Sequence, residues 1–173
     1  MAILPILTAP DPRLKTVSSP VDTVDDKLRQ LMDDMCDTMY DAPGIGLAAI
    51  QVGVAKRVLV IDLQEEEGVR NPQFFVNPQI IWTSSEDISV YNEGCLSVPE
   101  QYAEVERPAE CIVQYLDYHG KPQELSAHGL MATCLQHEMD HLDGILFVDH
   151  LSSIKRNMMI RKVKKLVKAR TAE

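Results

Sequence analysis

The segment Gln136-His137-Glu138-Met139-Asp140-His141 constrains this chain more than any other part of it. Two imidazoles four residues apart stack on one face of a helix at 3.6 residues per turn, so both can reach a single cation. Glu138 then stands on the neighbouring flank, where a carboxylate can act as the base of a hydrolytic metal site. The competing reading is an amphipathic helix whose polar residues face water, and a zinc-like site needs at least a third protein ligand.

The pattern is helical from His128 or Gly129 to Asp143-Gly144, with Leu130, Cys134, His137 and His141 along one stripe and Gly144 suited to a cap. Earlier, Ser18-Ser19-Pro20-Val21-Asp22 leads into Val24, Leu28, Leu31, Met32, Met35, Cys36 and Met39, a helical spacing that stops at Asp41-Ala42-Pro43-Gly44. Strand-like runs follow over 57–63, 73–82, 88–91 and 110–118, the last returning through 123–127 after a turn at Asp117-Tyr118-His119-Gly120. A final helix begins near Ser152-Ser153, with Met159, Ile160, Val163, Leu166 and Val167 on one side and lysines on the other. Strands followed by helices, without β-α alternation, predict an α+β fold. Its largely antiparallel sheets pack around a metal-binding helix, with an N-terminal and a C-terminal helix beside them.

A chain of 173 residues, 45% hydrophobic and 25% charged, suits a single domain over 1–173, the basic helix at 152–173 being part of it. Cys36, Cys95, Cys111 and Cys134 show neither C-x-x-C pairing nor the density of a disulfide scaffold, so free thiols in a reducing compartment are expected. No apolar run is long enough to span a bilayer, and Met1-Ala2-Ile3-Leu4-Pro5 lacks the pattern of a secretory leader. A cytoplasmic monomer without membrane contact is the expectation. The net charge of −9 is divided: residues 152–173 hold eight of the seventeen Lys and Arg and one of the twenty-six acids, a net +7 that leaves −16 on the rest. That balance argues against general nucleic-acid binding by the whole domain but leaves the tail as a contact for something anionic.

The third ligand has to come from another segment. Cys134 shares the stripe but precedes His141 by seven residues, roughly 10 Å along the axis, which ligand bonds of about 2.0–2.3 Å on one straight helix do not bridge. It is read as lining the site. Cys111 lies in an apolar strand-like run, where a buried thiol is the ordinary explanation. Cys95 stands in Tyr91-Asn92-Glu93-Gly94-Cys95-Leu96-Ser97-Val98-Pro99, where Gly94 and Pro99 are expected to break a strand and leave the thiol at its end. A metal ligand and an unpartnered turn cysteine are both open readings there. The stretch Pro43-Gly44-Ile45-Gly46-Leu47-Ala48-Ala49-Ile50-Gln51-Val52-Gly53 joins a small-residue loop to a short apolar strand ending in an amide. It lacks the Lys-Ser/Thr and the opening helix of a phosphate loop.

Together, Gly44-Ile45-Gly46-Leu47-Ala48-Ala49-Ile50-Gln51, Glu93-Gly94-Cys95-Leu96-Ser97 and Gln136-His137-Glu138-Met139-Asp140-His141-Leu142-Asp143-Gly144 closely resemble the three signature motifs of the peptide deformylases, in the right order. The resemblance covers nearly the whole chain, from Pro10-Asp11-Pro12 to the basic C-terminal helix of bacterial-type members. It implies Cys95, His137 and His141 as ligands of one ion per chain and Glu138 as general base and then acid. Gln51 and the backbone N–H of Leu96 are implied as donors to an oxyanion. Three protein ligands leave a fourth position for water, as a catalytic site requires. The implied reaction is attack of metal-activated water on the formyl carbon of an N-formylmethionyl nascent peptide, releasing formate.

By the same resemblance Fe(II) is the physiological ion, with zinc, nickel or cobalt able to substitute. Ile45, Leu130 and Cys134, with Tyr91, are expected to wall a pocket for the methionine side chain, ordinary core packing being the alternative. Backbone at Gly44 to Gly46, and the strand end at Glu93 and Gly94, is expected to pair with an extended peptide. The basic helix either docks on the ribosome through RNA or packs its lysines beside the acidic body. Two rival functions use the same motif: a zincin-type metallopeptidase and a non-catalytic ribosome-associated metal-binding module. Cys95 and Gln51 speak against the first, and an intact Glu138 against the second.

Overall fold

A computed structural model describes residues 2–172, so Met1 and Glu173 of the expected 1–173 domain lie outside the described residues. After an extended start and a 3-10 turn, Pro12–Lys15, the chain forms helix α1 (Asp26–Asp41). Seven strands follow, β1 (Gly46–Ala48), β2 (Val58–Ile61), β3 (Gln73–Thr83), β4 (Ile88–Cys95), β5 (Val98–Pro108), β6 (Glu110–Leu116) and β7 (Pro122–His128). Helices α2 (Gly129–Leu142) and α3 (Ser153–Thr171) complete the α+β architecture. Five strands make one antiparallel sheet in the order β1-β2-β3-β6-β7, while β4 and β5 form a separate antiparallel ribbon.

The sheet has a helix on each face, which β2 records in its side chains. Leu59 and Ile61 point one way, to Phe75, Val113, Leu135, Met139 and Leu142, and so hold α2. Val58 and Val60 point the other way, to Leu28, Met32, Met35 and Met39 of α1. The two-residue period thus places alternate residues in two cores, and all four β2 residues are fully buried. A third cluster fastens the ribbon: Val98 and Val105 meet Ala9, Leu14, Leu146, Phe147 and Val163, the buried anchor of α3. Each such aliphatic side chain removed from water contributes about 1.5–3 kcal/mol.

Capping sets the helix limits. The Asp25 carboxylate accepts from Leu28 N–H at 2.9 Å and starts α1 just after Val24. Gly144 follows α2 at φ 76, and a Cβ there would collide with the Lys15 carbonyl, so only glycine fits.

Two local expectations are corrected. Gly94 and Pro99 do not break the ribbon: β4 runs through Gly94 to Cys95, and β5, absent from the sequence reading, includes Pro99. The register explains it, since Cys95 pairs with Val98 but Gly94 with Tyr102, leaving Pro99, Glu100 and Gln101 in a bulge. A bulge tolerates a proline that has no N–H to give to a ladder. Secondly, the short apolar strand ends at Ala48, and Gln51 sits in a 3-10 turn, Ala49–Val52, closed by Gly53 at φ 83. Among the described residues no helix is long and apolar enough to cross a membrane.

Candidate active site

Helix α2 and the end of the ribbon bring one thiol and two imidazoles together. Cys95, His137 and His141 each offer a ligand atom, all within 4.8 Å of one another, and Cys95 Sγ lies 3.4 Å from His141 Nε2. Donors bound tetrahedrally at about 2.0–2.3 Å stand roughly 3.5 Å apart, so this spacing suits one divalent ion. The electrostatics agree. Burial pushes the His137 imidazole down, but hydrogen bonding to Cys95 and Glu93 outweighs it and raises the group well above its ordinary range. His141, fully buried, is instead held well below its ordinary range by burial and by His137 and Arg107. An ion bound there would take the place of the proton that this setting favours on His137, since both imidazoles must be neutral to ligate.

The orientation of His137 is fixed from behind. Its Nδ1 lies 2.8 Å from Glu93 Oε1, which leaves Nε2 facing the thiol and Glu138. Glu93 in turn accepts two bonds from Arg107, Nε at 2.7 Å and Nη2 at 2.9 Å, with both side chains 5% exposed. Burial alone would raise the Glu93 carboxyl, but hydrogen bonds from His137 and Arg107 hold it below the usual range. Arg107 also donates to Asp140 at 2.9 Å, and His150 meets the same Asp140 oxygen at 2.8 Å. Arg107, Asp140 and His150 were not singled out in the sequence. Glu93, expected among substrate-binding residues, borders the cavity, yet both its oxygens are committed to His137 and Arg107.

Glu138 lies beside these three residues, Cys95, His137 and His141, 5% exposed, with Oε1 3.9 Å from His137 Nε2 and Oε2 without a hydrogen-bond partner. Burial pushes its carboxyl up to about 7, opposed by His137 and Arg107 and assisted by Glu93. Opposite stands Gly46, where a Cβ would come 2.7 Å from Glu138 Oε1. Gln51 is oriented without ambiguity: its Oε1 accepts from Ala48 N–H at 2.9 Å, so Nε2 must face Ser97 Oγ at 3.0 Å and Cys95 Sγ at 3.5 Å.

These groups open onto a cavity of about 830 Å³. Gln51, Cys95, Leu96, His137 and Glu138 line it, and so do Gly44, Ile45, Gly46, Tyr91, Glu93, Gly94, Leu130 and Cys134. His141 lies behind the wall. Ile45 and Leu130 are exposed, 38% and 40%, while Cys134 is buried and its thiol is pushed up to about 12 chiefly by burial. Thr133 also borders the cavity, with its buried hydroxyl unpaired. Cys111 is fully buried in the core.

A thiol and two imidazoles close enough to share one ion, beside an unpartnered carboxylate that borders an open cavity, are the arrangement a metal-dependent hydrolase needs. The family model for polypeptide deformylase matches residues 3–157. A peptide deformylase of Rhizorhabdus wittichii is 64% identical over 177 residues, covering 99% of each chain. A crystal structure of a peptide deformylase from Legionella pneumophila superposes with a TM-score of 0.92 at 45% identity, over 99% of each chain. The Ehrlichia chaffeensis enzyme, solved in complex with actinonin, gives 0.89 at 45% identity over 95% of this chain and 98% of its own. The chain therefore belongs to the polypeptide deformylase family. It is a metalloenzyme that removes the N-terminal formyl group from formyl-methionine of newly made polypeptides.

Proposed function

We propose that Cys95, His137 and His141 hold the catalytic ion and that Glu138, Gln51 and Leu96 carry the deformylation around it. The convergence of those three ligands next to Glu138 is the observation that carries this reading. A divalent ion bound there supplies Lewis acidity to the formyl carbonyl and lowers the pKa of water towards neutrality. Glu138 takes the proton from the attacking water at its unpartnered Oε2 and later delivers it to the leaving amine. Gln51 Nε2 and the Leu96 N–H meet the charge that develops on the formyl oxygen. Because Oε1 of Gln51 is tied to Ala48, the donor is aimed before substrate arrives. Gln51→Ala is expected to lower kcat by about 10²–10³-fold with little change in KM, measured by formate release.

Ile45, Leu130, Cys134 and Tyr91 form the wall that receives the methionine side chain. Backbone at Gly44, Ile45 and Gly46 on one side, and at Glu93 and Gly94 on the other, pairs with the extended peptide. Fe(II) is the proposed physiological ion, with zinc, nickel or cobalt as substitutes, one per chain. Residues 1–173 act as one catalytic domain, a monomer working in the cytoplasm. The apolar face of α3 packs on the body while its lysines, with exposed Ile154 and Met158, support docking on the ribosome.

The deciding experiment is formate release from formyl-Met-Ala-Ser, with metal analysis on the same sample. Formate with an unblocked peptide left intact is expected. Cleavage of internal peptide bonds without formate would instead favour a metallopeptidase.

A further inference from the structure

Of the α3 side chains described, only Arg170 borders the active-site cavity. Its place follows from packing: Val163 and Val167 seat one face of α3 against the cluster that contains Val98, Ala103 and Val105, and Arg170 extends that face by another turn. Arg170 Nη2 lies 3.6 Å from Glu100 Oε1, too far for a direct hydrogen bond, and the side chains are 56% and 64% exposed. Such a pair holds weakly and opens readily. Glu100 stands in the ribbon's bulge at φ 61, a conformation non-glycine residues seldom adopt. The other charges bordering the cavity are buried: Glu93 is committed to Arg107 and His137, and Glu138 and His137 lie at the floor.

We propose that Arg170 is a specificity-determining residue for deformylation, capturing a carboxylate on the peptide downstream of formyl-methionine, with Glu100 as its intramolecular competitor. The proposal rests on the deformylase reading above. A guanidinium carries five N–H donors in a fork that matches a carboxylate, and here its recorded ionic contact is one long, exposed pair. Residues 1–151 carry a net −16 while α3 is basic, and Arg170 is the α3 cation that borders the cavity, so a carboxylate on the peptide meets its opposite charge there. An extended peptide advances about 3.3 Å per residue, so only certain downstream positions come level with Arg170. The carboxylate is supplied either by an Asp or Glu side chain or by the terminus of a short peptide.

The test measures formate release by the holoenzyme on C-terminally amidated formyl-methionyl peptides carrying one Asp, or the isosteric Asn, at position two, three or four. The Asn peptides are also assayed as free acids, varied in length. At one position Asp is expected to lower KM by about two- to fivefold relative to Asn, and high salt to erase the difference. Arg170→Gln removes the preference, whereas Glu100→Gln widens it, opposite effects that general loosening of the helix would not give. A gain confined to the free-acid series supports the same capture and assigns it to the chain terminus. A preference that persists in Arg170→Gln, one that narrows in Glu100→Gln, or none in either series overturns the proposal. No formate from any peptide would overturn the deformylase reading instead.

Discussion

Glu138→Gln is expected to lower kcat for formate release by about 10²–10⁴-fold, with KM, metal content and fold retained. The substitution keeps the shape of the side chain and removes its capacity to accept a proton. Shape matters here, because the carboxylate sits between His137 and the backbone of Gly46, close enough that even a Cβ at Gly46 would collide with it. A glutamine in that slot still fills it, so the loss isolates proton transfer from packing. Steady-state kinetics, metal analysis and circular dichroism on one preparation make the measurement. A Glu138→Gln enzyme with near-normal kcat would remove Glu138 from the mechanism.

Arg107→Met, alone and with Glu93→Leu, carries the second large effect, on stability and on metal binding. The change strands the Glu93 carboxylate, 5% exposed, with only His137 as a partner. Breaking one side of a buried pair costs about 3–5 kcal/mol, because an uncompensated charge remains inside, while replacing both partners by apolar groups is far milder. Denaturant unfolding should therefore show Arg107→Met strongly destabilised and Arg107→Met/Glu93→Leu substantially recovered. Metal affinity should not follow stability. The double variant loses the Glu93 contact that fixes the His137 ring, for which a loss of about 10–100-fold is expected, whereas Arg107→Met keeps that contact. Competition with a chelator separates the two quantities, and full affinity in the double variant would refute the orienting role of Glu93.

What was readable in the sequence follows from what is local. The spacing of His137 and His141 is a property of one helix, so its consequence holds wherever that helix packs. The turn at Asp117 to Gly120 and the end of α2 at Gly144 carry local signals and are legible, although the Lys15 carbonyl that also excludes a side chain at 144 is not. Strand β5 escaped because its pattern is disguised: Glu100, Tyr102, Glu104 and Glu106 face solvent, while one of its inward positions is an arginine. Arg107 is buried only because Glu93, fourteen residues away, meets it inside. That pairing depends on ribbon register and on a bulge, neither of which is encoded by hydrophobic alternation. The same limit applies to Arg170, whose position depends on how α3 docks rather than on its own neighbours.

The ligands also differ in origin, the thiol ending a two-stranded ribbon and the imidazoles riding on a helix that belongs to the main sheet. A cation shared by Cys95 and His141 joins points 46 residues apart in the chain. In the unfolded chain that link would close a long loop, and the entropy so removed favours the folded state. The catalytic ion would thus act as a staple as well, tying the peptide-binding edge of the ribbon to the core and making its protease resistance a gauge of metal occupancy.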